Sequence, residues 1–233
     1  MSTNLELCQA LARESGTISG TNPTAVASQT GRLLKVVQWV DQASVAIQNL
    51  HADWRWMQKT FSGTTTASSA KYLPASWSIT DLRDWLRDDR EIGYQPHTIY
   101  LTATGVSDEG ALREISWQQW RTTYGRGSQT NNYPSEYAIS PAGEFCLGPI
   151  PDDDYTVNGE YRQAAVRMTV DGDIPGMPAA FHEIIVWRAL VMLAEFDEAV
   201  EQRAAAILKY NELLESLQRN QLPVVSLGGL PIA

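Results

Sequence analysis

Apolar side chains change their spacing twice along this chain, and that change limits the fold more than any other feature. Near both ends they recur every three or four residues, the period of a helix with one face on a core. Between Arg55 and about Val170 the apolar segments are short and strand-like, with turn residues between them. The strongest stripe is Leu33, Val36, Val37, Val40, Ala43, Ile47, Leu50 and Trp54, with Arg32, Lys35, Gln38, Asp41, Gln42, Gln48 and Asn49 on the polar face; it predicts a helix over about 31–53. A shorter helix is expected over 4–14. Thr3 and Glu6 have capping-box spacing, Leu5, Cys8, Leu11 and Ala12 share a face, and Gly16 stops it. Toward the other end, Phe181, Ile184, Ile185, Ala189, Met192 and Phe196 predict a helix over 179–195, entered after Pro175 and Pro178. Val200, Ala204, Ile207, Tyr210, Leu214 and Leu217 predict another over 198–219, with Asp197 as its cap.

The middle of the chain reads as strands at Trp56–Phe61, Thr98–Thr104, Leu112–Ile115, Glu136–Ser140, Glu144–Leu147 and Asn158–Met168. Ser140-Pro-Ala-Gly143 is a hairpin loop and Pro149–Asp154 a turn. Ile79–Leu86 reads as a short helix or turn, and Ser116–Tyr124 as a short helix with Trp117 and Trp120 three apart. Residues 125–134 form an exposed loop. The expected class is α+β: N- and C-terminal helices packed as a bundle, with a β-rich antiparallel segment of about 56–170 inserted between them. Residues 1–220 then make a single domain, and 221–233 an extended C-terminal arm. That arm is apolar, carries no charged side chain and cannot continue a helix past Pro223. Left in water it exposes an apolar strip. Leu222, Val224, Val225, Leu227, Leu230 and Ile232 are therefore the candidate interface residues, docked on a neighbouring subunit or partner as an added strand. An end that folds back on its own chain, or stays disordered, is the alternative.

Composition and motif spacing remove several functional classes. A chain of 233 residues with 43% hydrophobic and 19% charged residues has enough apolar material for a real core. No apolar run reaches the length of a membrane helix, and the start lacks the basic and apolar segments of a secretory signal. A net charge of −9 argues against holding DNA by neutralising phosphates. Cys8 and Cys146 lack CxxC spacing and read as buried apolar residues. His182-Glu183 starts like HExxH, but Val186 stands where the second histidine is needed. His182 is read instead as a helix-surface or core-edge residue. Asp152-Asp-Asp154 and Asp171-Gly-Asp173 lack the distal glutamate of a calcium loop and read as turns. Gly125-Arg-Gly127 is a single basic copy in an acidic chain, hence a solvated loop. There is no GxSxG, Walker A or GxGxxG segment, so no catalytic residue, metal ligand or cofactor is assigned. Of eight tryptophans, Trp39, Trp54 and Trp187 are expected in a core or interface. Trp117 and Trp120 are the candidates for an exposed pair that could stack on sugars.

The order of several stretches resembles the head–tail adaptor proteins of tailed bacteriophages. These are Ala12-Arg-Glu-Ser-Gly16; Val36-Val-Gln-Trp-Val40 with Ala43, Ile47–Leu50 and Trp54-Arg-Trp56; and Ile115–Trp120 with Pro134–Ile139. Leu147-Gly-Pro-Ile-Pro-Asp152 follows, with Tyr155, Val157 and Tyr161; then come Pro175, Pro178, Phe181–Trp187, Ala189 and Leu190. The resemblance implies a structural virion protein and no enzyme. It implies a dodecameric ring docked beneath the portal protein, with tail or nozzle proteins on its other side, helices around a central channel, and C-terminal arms reaching a neighbour or the portal. Double-stranded DNA would pass through without specific binding. The place implied is the neck of the virion, after assembly in the host cytoplasm. Cutting the chain after Arg219 is expected to weaken assembly. The alternative functions are a tail-completion or tail-tube component, or a tryptophan-based module that holds host glycans.

Overall fold

The computed structural model describes residues 1–16, 22–89 and 92–223, which form two compact units within an α+β fold. One unit joins Met1–Met57 to the chain from Ala165 onward and is helical; the other is Gln58–Ala164 and is built mainly of strands.

The helical unit contains α1 (Asn4–Glu14), α2 (Gly31–Gln48), α4 (Glu183–Phe196) and α5 (Val200–Gln221); α3 (Trp117–Thr123) belongs to the other unit. Helix α4 is the hub. Ile184, Ile185, Val186, Ala189, Leu190, Val191, Leu193 and Ala194 are all buried, so it is enclosed around most of its circumference. Ser2, just before α1, donates its N–H to Nδ1 of His182 at the start of α4 (3.1 Å), so α1 and α4 run parallel. Arg32 in the first turn of α2 pairs with Asp197 at the far end of α4, so α2 runs antiparallel to it. A tight turn at Asp197–Ala199 sends α5 back, and Arg188 of α4 lies over the Tyr210 ring of α5 at 5.5 Å. Leu7, Leu11, Val36, Val40, Ile47, Trp54, Ile184, Leu193 and Leu217 meet in one core.

The helix boundaries depart from the sequence pattern where tertiary contacts take over. Helix α2 stops at Gln48, short of the expected 53. Asn49 and Leu50 close onto the carbonyls of Val45 and Ile47, and the chain turns back. Trp54 thus reaches the core by the turn, its indole donating to the Ile47 carbonyl at 3.0 Å, while Leu50 is left exposed. Trp56 is not in a strand: Arg55–Met57 is a 3-10 turn, with Trp56 stacked on Trp54 at 4.4 Å. Residues 179–181 are likewise a 3-10 turn before α4. Asp197 closes α4 rather than capping α5, because Arg32 engages its carboxylate; Ala199 stands at the α5 cap position with no side-chain bond. Helix α5 runs on to Gln221.

The second unit contains two sheets. In the first, β9 (Tyr155–Gln163) is central. Through Thr156–Arg162 it pairs with the whole of β1 (Gln58–Thr64), and on its other edge with β4 (Thr98–Leu101) and β3 (Leu82–Trp85); β5 (Gly110–Ala111) extends β4. The second sheet has the order β2 (Lys71–Tyr72), β8 (Phe145–Gly148), β7 (Glu136–Ile139), β6 (Arg113–Glu114). The pairs are antiparallel except β6 with β7. Phe61, Ile99, Val157 and Tyr161 from the first sheet meet Tyr72, Tyr137, Phe145 and Leu147 from the second, with Trp77 and Trp85 between them.

Here too the boundaries shift where contacts between distant segments take over. Ile79–Leu86 carries strand β3, since its backbone finds a free edge on β9. Of the expected Leu112–Ile115 strand only Arg113–Glu114 forms one, in the second sheet; fully buried Leu112, whose N–H donates to the His97 carbonyl (2.9 Å), separates it from β5 in the first. Strand β4 ends at Leu101 because the N–H groups of Thr104 and Gly105 turn back onto that residue's carbonyl. Strand β9 spans Tyr155–Gln163 rather than 158–168, and Ala164 then bonds the Asp81 carbonyl. The loop at 140–143 is held by the Ser140 hydroxyl, which accepts from the N–H groups of Ala142 and Glu144.

Candidate interaction surfaces

Of the six arm residues singled out in the sequence, the structure describes Leu222. It follows α5, is partly buried and packs against the helical core. Val224, Val225, Leu227, Leu230 and Ile232 lie outside the described residues.

An apolar surface that sequence reading assigned to the core stands out on α5. Only Ala206 and Leu217 of this 22-residue helix are fully buried, with Ile207, Tyr210, Leu213 and Leu214 partly so. Val200 is 77% exposed, Leu208 73% exposed, and Ala204 and Ala205 are exposed as well. Phe196, at the end of α4, is 60% exposed, touching Trp39 and lying under the Lys35 ammonium. The helical stripe read as one face is therefore divided: its Ile207–Leu217 part meets the core, while Val200 and Ala204 face outward. Leu208 was missed because it stands off the stripe that the three- and four-residue steps trace.

A groove of about 380 Å³ runs between α1 and α4. Leu7, Ala10 and Val186 line it, with Glu6, Arg13 and Glu183 at its rim. Two of those acids already have partners. Glu6 completes the capping box, accepting from Thr3 N–H at 2.9 Å, and Glu183 accepts the Trp187 indole N–H at 2.8 Å.

The residues considered for chemistry serve the fold. His182 is 2% exposed rather than on a helix surface; it accepts from Ser2 N–H, and its other ring nitrogen lies 3.1 Å from the Met177 carbonyl. Asp171 and Asp173 form the expected turn, and their carbonyls accept the Leu5 and Asn4 N–H groups at the open end of α1. The Asp173 carboxylate accepts from Val170 and Thr169 N–H, which holds it below the usual carboxylate range. Asp152 accepts the Tyr155 hydroxyl at 2.6 Å. Cys8 and Cys146 are buried, and burial pushes both thiols up to about 12, so neither is a ready nucleophile. Among the described residues no three His, Cys, Asp or Glu side chains come together as a metal site, and no helix is long and apolar enough to cross a membrane.

Trp117 and Trp120 are stacked at 5.2 Å, but they are not an open platform. Trp120 is 2% exposed and its indole donates to the Leu147 carbonyl, and the Lys71 ammonium lies over both rings at 5.4 and 5.6 Å. A cleft of about 740 Å³ in the strand unit is lined by Asp84, Arg87, Asp88, Asp89, Tyr94 and Arg162. Its acids are engaged structurally: Asp88 accepts from Glu114 N–H and from the Tyr137 hydroxyl, and Asp89 bridges to Tyr94 through the backbone.

What the helical unit offers its surroundings is docking surface: an outward apolar helix face and a groove with an apolar floor. That is the make of a structural interaction protein, of adaptor type. The chain belongs to the SU10 adaptor protein family, whose model matches residues 2–227. It is a phage adaptor-type protein, a structural component that meets other parts of the virion, and the family is not a known enzyme class. No curated protein matches it.

Proposed function

We propose that this adaptor forms a ring, dodecameric by resemblance, that joins the portal protein to the tail or nozzle proteins at the neck of the virion. The observation that carries the reading is the family match over residues 2–227. The outward apolar face of α5 supports it, because a monomer leaves that surface in water and a neighbouring subunit would cover it. The acidic balance supports a conduit role: a net charge of −9 gives DNA few cations to grip, so packaged double-stranded DNA would slide through the channel. The arm residues Val224, Val225, Leu227, Leu230 and Ile232 would dock on a neighbour or on the portal, while Leu222 packs on its own helical core.

The test is co-assembly. Purified protein is mixed with portal proteins of tailed phages and the particles are imaged by electron microscopy. A ring added beneath the portal is the expected result. Portals that stay bare would move the assignment to a tail-completion or tail-tube component. The glycan-binding alternative draws no support from the Trp117–Trp120 pair, since one ring is buried and both are covered by Lys71.

A further inference from the structure

We propose that α4 and α5 join into one continuous helix when copies assemble, so that α5 leaves its own chain and packs on the helical core of the next copy. The exchange rests on the ring reading above and supplies the contact that would close the ring.

The first ground is the turn between the two helices. The N–H groups of Glu198 and Ala199 bond the carbonyls of Glu195 and Ala194, at 3.4 and 2.9 Å, the pattern that ends many helices on a left-handed residue. That residue is Glu198, at φ +56°, where glycine is the usual occupant and a side chain is strained. No glycine or proline occurs from Ala179 through Leu222, so nothing in the local sequence demands a break. Straightening the turn relieves Glu198 and restores the helical hydrogen bonds that the turn interrupts.

The second ground is how α5 is held. Two of its 22 residues are fully buried, against eight of the 14 in α4. The contacts that fix it lie past its first turn: Ala206 and Leu217 in the core, Tyr210 under Arg188, and Gln218 on His51 at 2.9 Å. Near the turn it makes surface contacts, Gln202 to the Glu14 carbonyl at 3.4 Å and Arg203 to Glu195 at 3.6 Å, and such an ion pair in water contributes little. An α5 that swings out gives up the surface contacts and remakes the others on an identical copy. That surface fits it because it is the surface α5 itself leaves, so the occupant of each vacated site is the α5 of a second copy. From the turn, 22 residues of helix reach about 33 Å, enough to lie across a neighbour.

The third ground is the apolar side chains that the hairpin leaves in water. Phe196, Val200, Ala204 and Leu208 are all exposed, and each stands four residues from the next. The turn separates Phe196 from the other three. In a continuous helix residues four apart are neighbours, so the four become one stripe across the junction, along the segment that bridges two copies.

The experiment is cross-linking of assembled rings. The double variant Arg188→Cys with Tyr210→Cys is assembled on portal, imaged, treated with a short bismaleimide and run under denaturing conditions. Native Cys8 and Cys146 are buried and stay silent. An exchanged α5 links copy to copy, so the expected result is a ladder of covalent oligomers. The same variant linked before assembly should give single chains that then fail to form rings. Rings that yield only internally linked single chains would overturn the exchange and leave the ring reading standing; no ring from wild-type protein would overturn both. Glu198→Gly is the second measurement. Glycine takes the left-handed turn without strain and weakens a continuous helix, so this variant should melt at a higher temperature and need about tenfold more protein to form rings. A variant that melts higher and assembles at the wild-type concentration would make the turn a feature of the fold alone and overturn the exchange.

Discussion

His97 fills the space that Gly159 leaves. It is fully buried between the two sheets, edge-on to Tyr137 and Phe145, with Nε2 2.8 Å from the Leu86 carbonyl; among the described residues Nδ1 has no hydrogen-bond partner. A Cβ on residue 159 would stand 2.1 Å from that Nδ1 and 2.7 Å from the Phe61 ring. Gly159→Ala should therefore destabilise the protein by about 1–3 kcal/mol through overpacking, read as a lower urea midpoint. The same burial holds the His97 imidazole down at about 4 from an ordinary 6.5, against the raising pull of the Leu86 carbonyl and Asp88. Between those values the unfolded chain takes a proton that the folded chain refuses. Stability should then fall as pH drops from 6.5 toward 4, and this contribution should level off below. The lowered carboxylates act in a different window. Asp197, held down by its Arg32 bond, and Asp173, held down by backbone N–H groups, contribute above the ordinary 3.8 and lose that contribution as pH falls lower. Urea titrations at a series of pH values separate the two, because His97→Phe should flatten only the upper part of the profile. An unchanged slope between pH 6.5 and 4 in that variant would assign the effect to other groups.

At the scale of elements, legibility follows the range of the forces. The α1 capping box is local, and it is present as read: Thr3 Oγ accepts from Glu6 N–H at 3.3 Å and Glu6 returns the bond. Thr3→Ala should lower stability by about 1 kcal/mol, measured by thermal melting, since one bond from the N-cap side chain is lost at an already anchored end. The anchoring itself was not legible. That the 171–173 turn supplies carbonyls to Asn4 and Leu5 depends on chain segments far apart in sequence. The end of α2 was hidden for the same reason. Trp54 continues the helical stripe in sequence, and the fold satisfies its apolar ring by a turn and its indole N–H by the Ile47 carbonyl. Gln48, placed on the polar face, both accepts from and donates to the Val166 backbone, at 2.9 Å each. Strand β2 has two residues, too few for any alternation to show.

At the scale of the whole molecule, the change in apolar spacing marks out the helical and strand-rich parts, because periodicity follows directly from which face is buried. It does not separate a face buried in the chain from one waiting for a partner. Val200 and Ala204 continue the stripe of Ile207 and Leu214, yet they are exposed while those two pack against the helical core. The arm poses the same problem in composition rather than period. The structure alters how its role should be tested, since α5 extends to Gln221 and Leu222 packs on the core. Cutting after Arg219 would therefore remove fold contacts together with the arm. Ending the chain after Pro223 keeps those contacts and removes only residues 224–233. The shortened protein should melt at the wild-type temperature, because every core residue among the described ones is kept. It should also need a higher concentration to form rings on portal, because the apolar residues from Val224 to Ile232 are gone. Melting and assembly measured on the same preparation separate the two roles. A drop in melting temperature would place the segment in the chain's own fold. Unchanged assembly at an unchanged melting temperature would end the case for the arm as an interface.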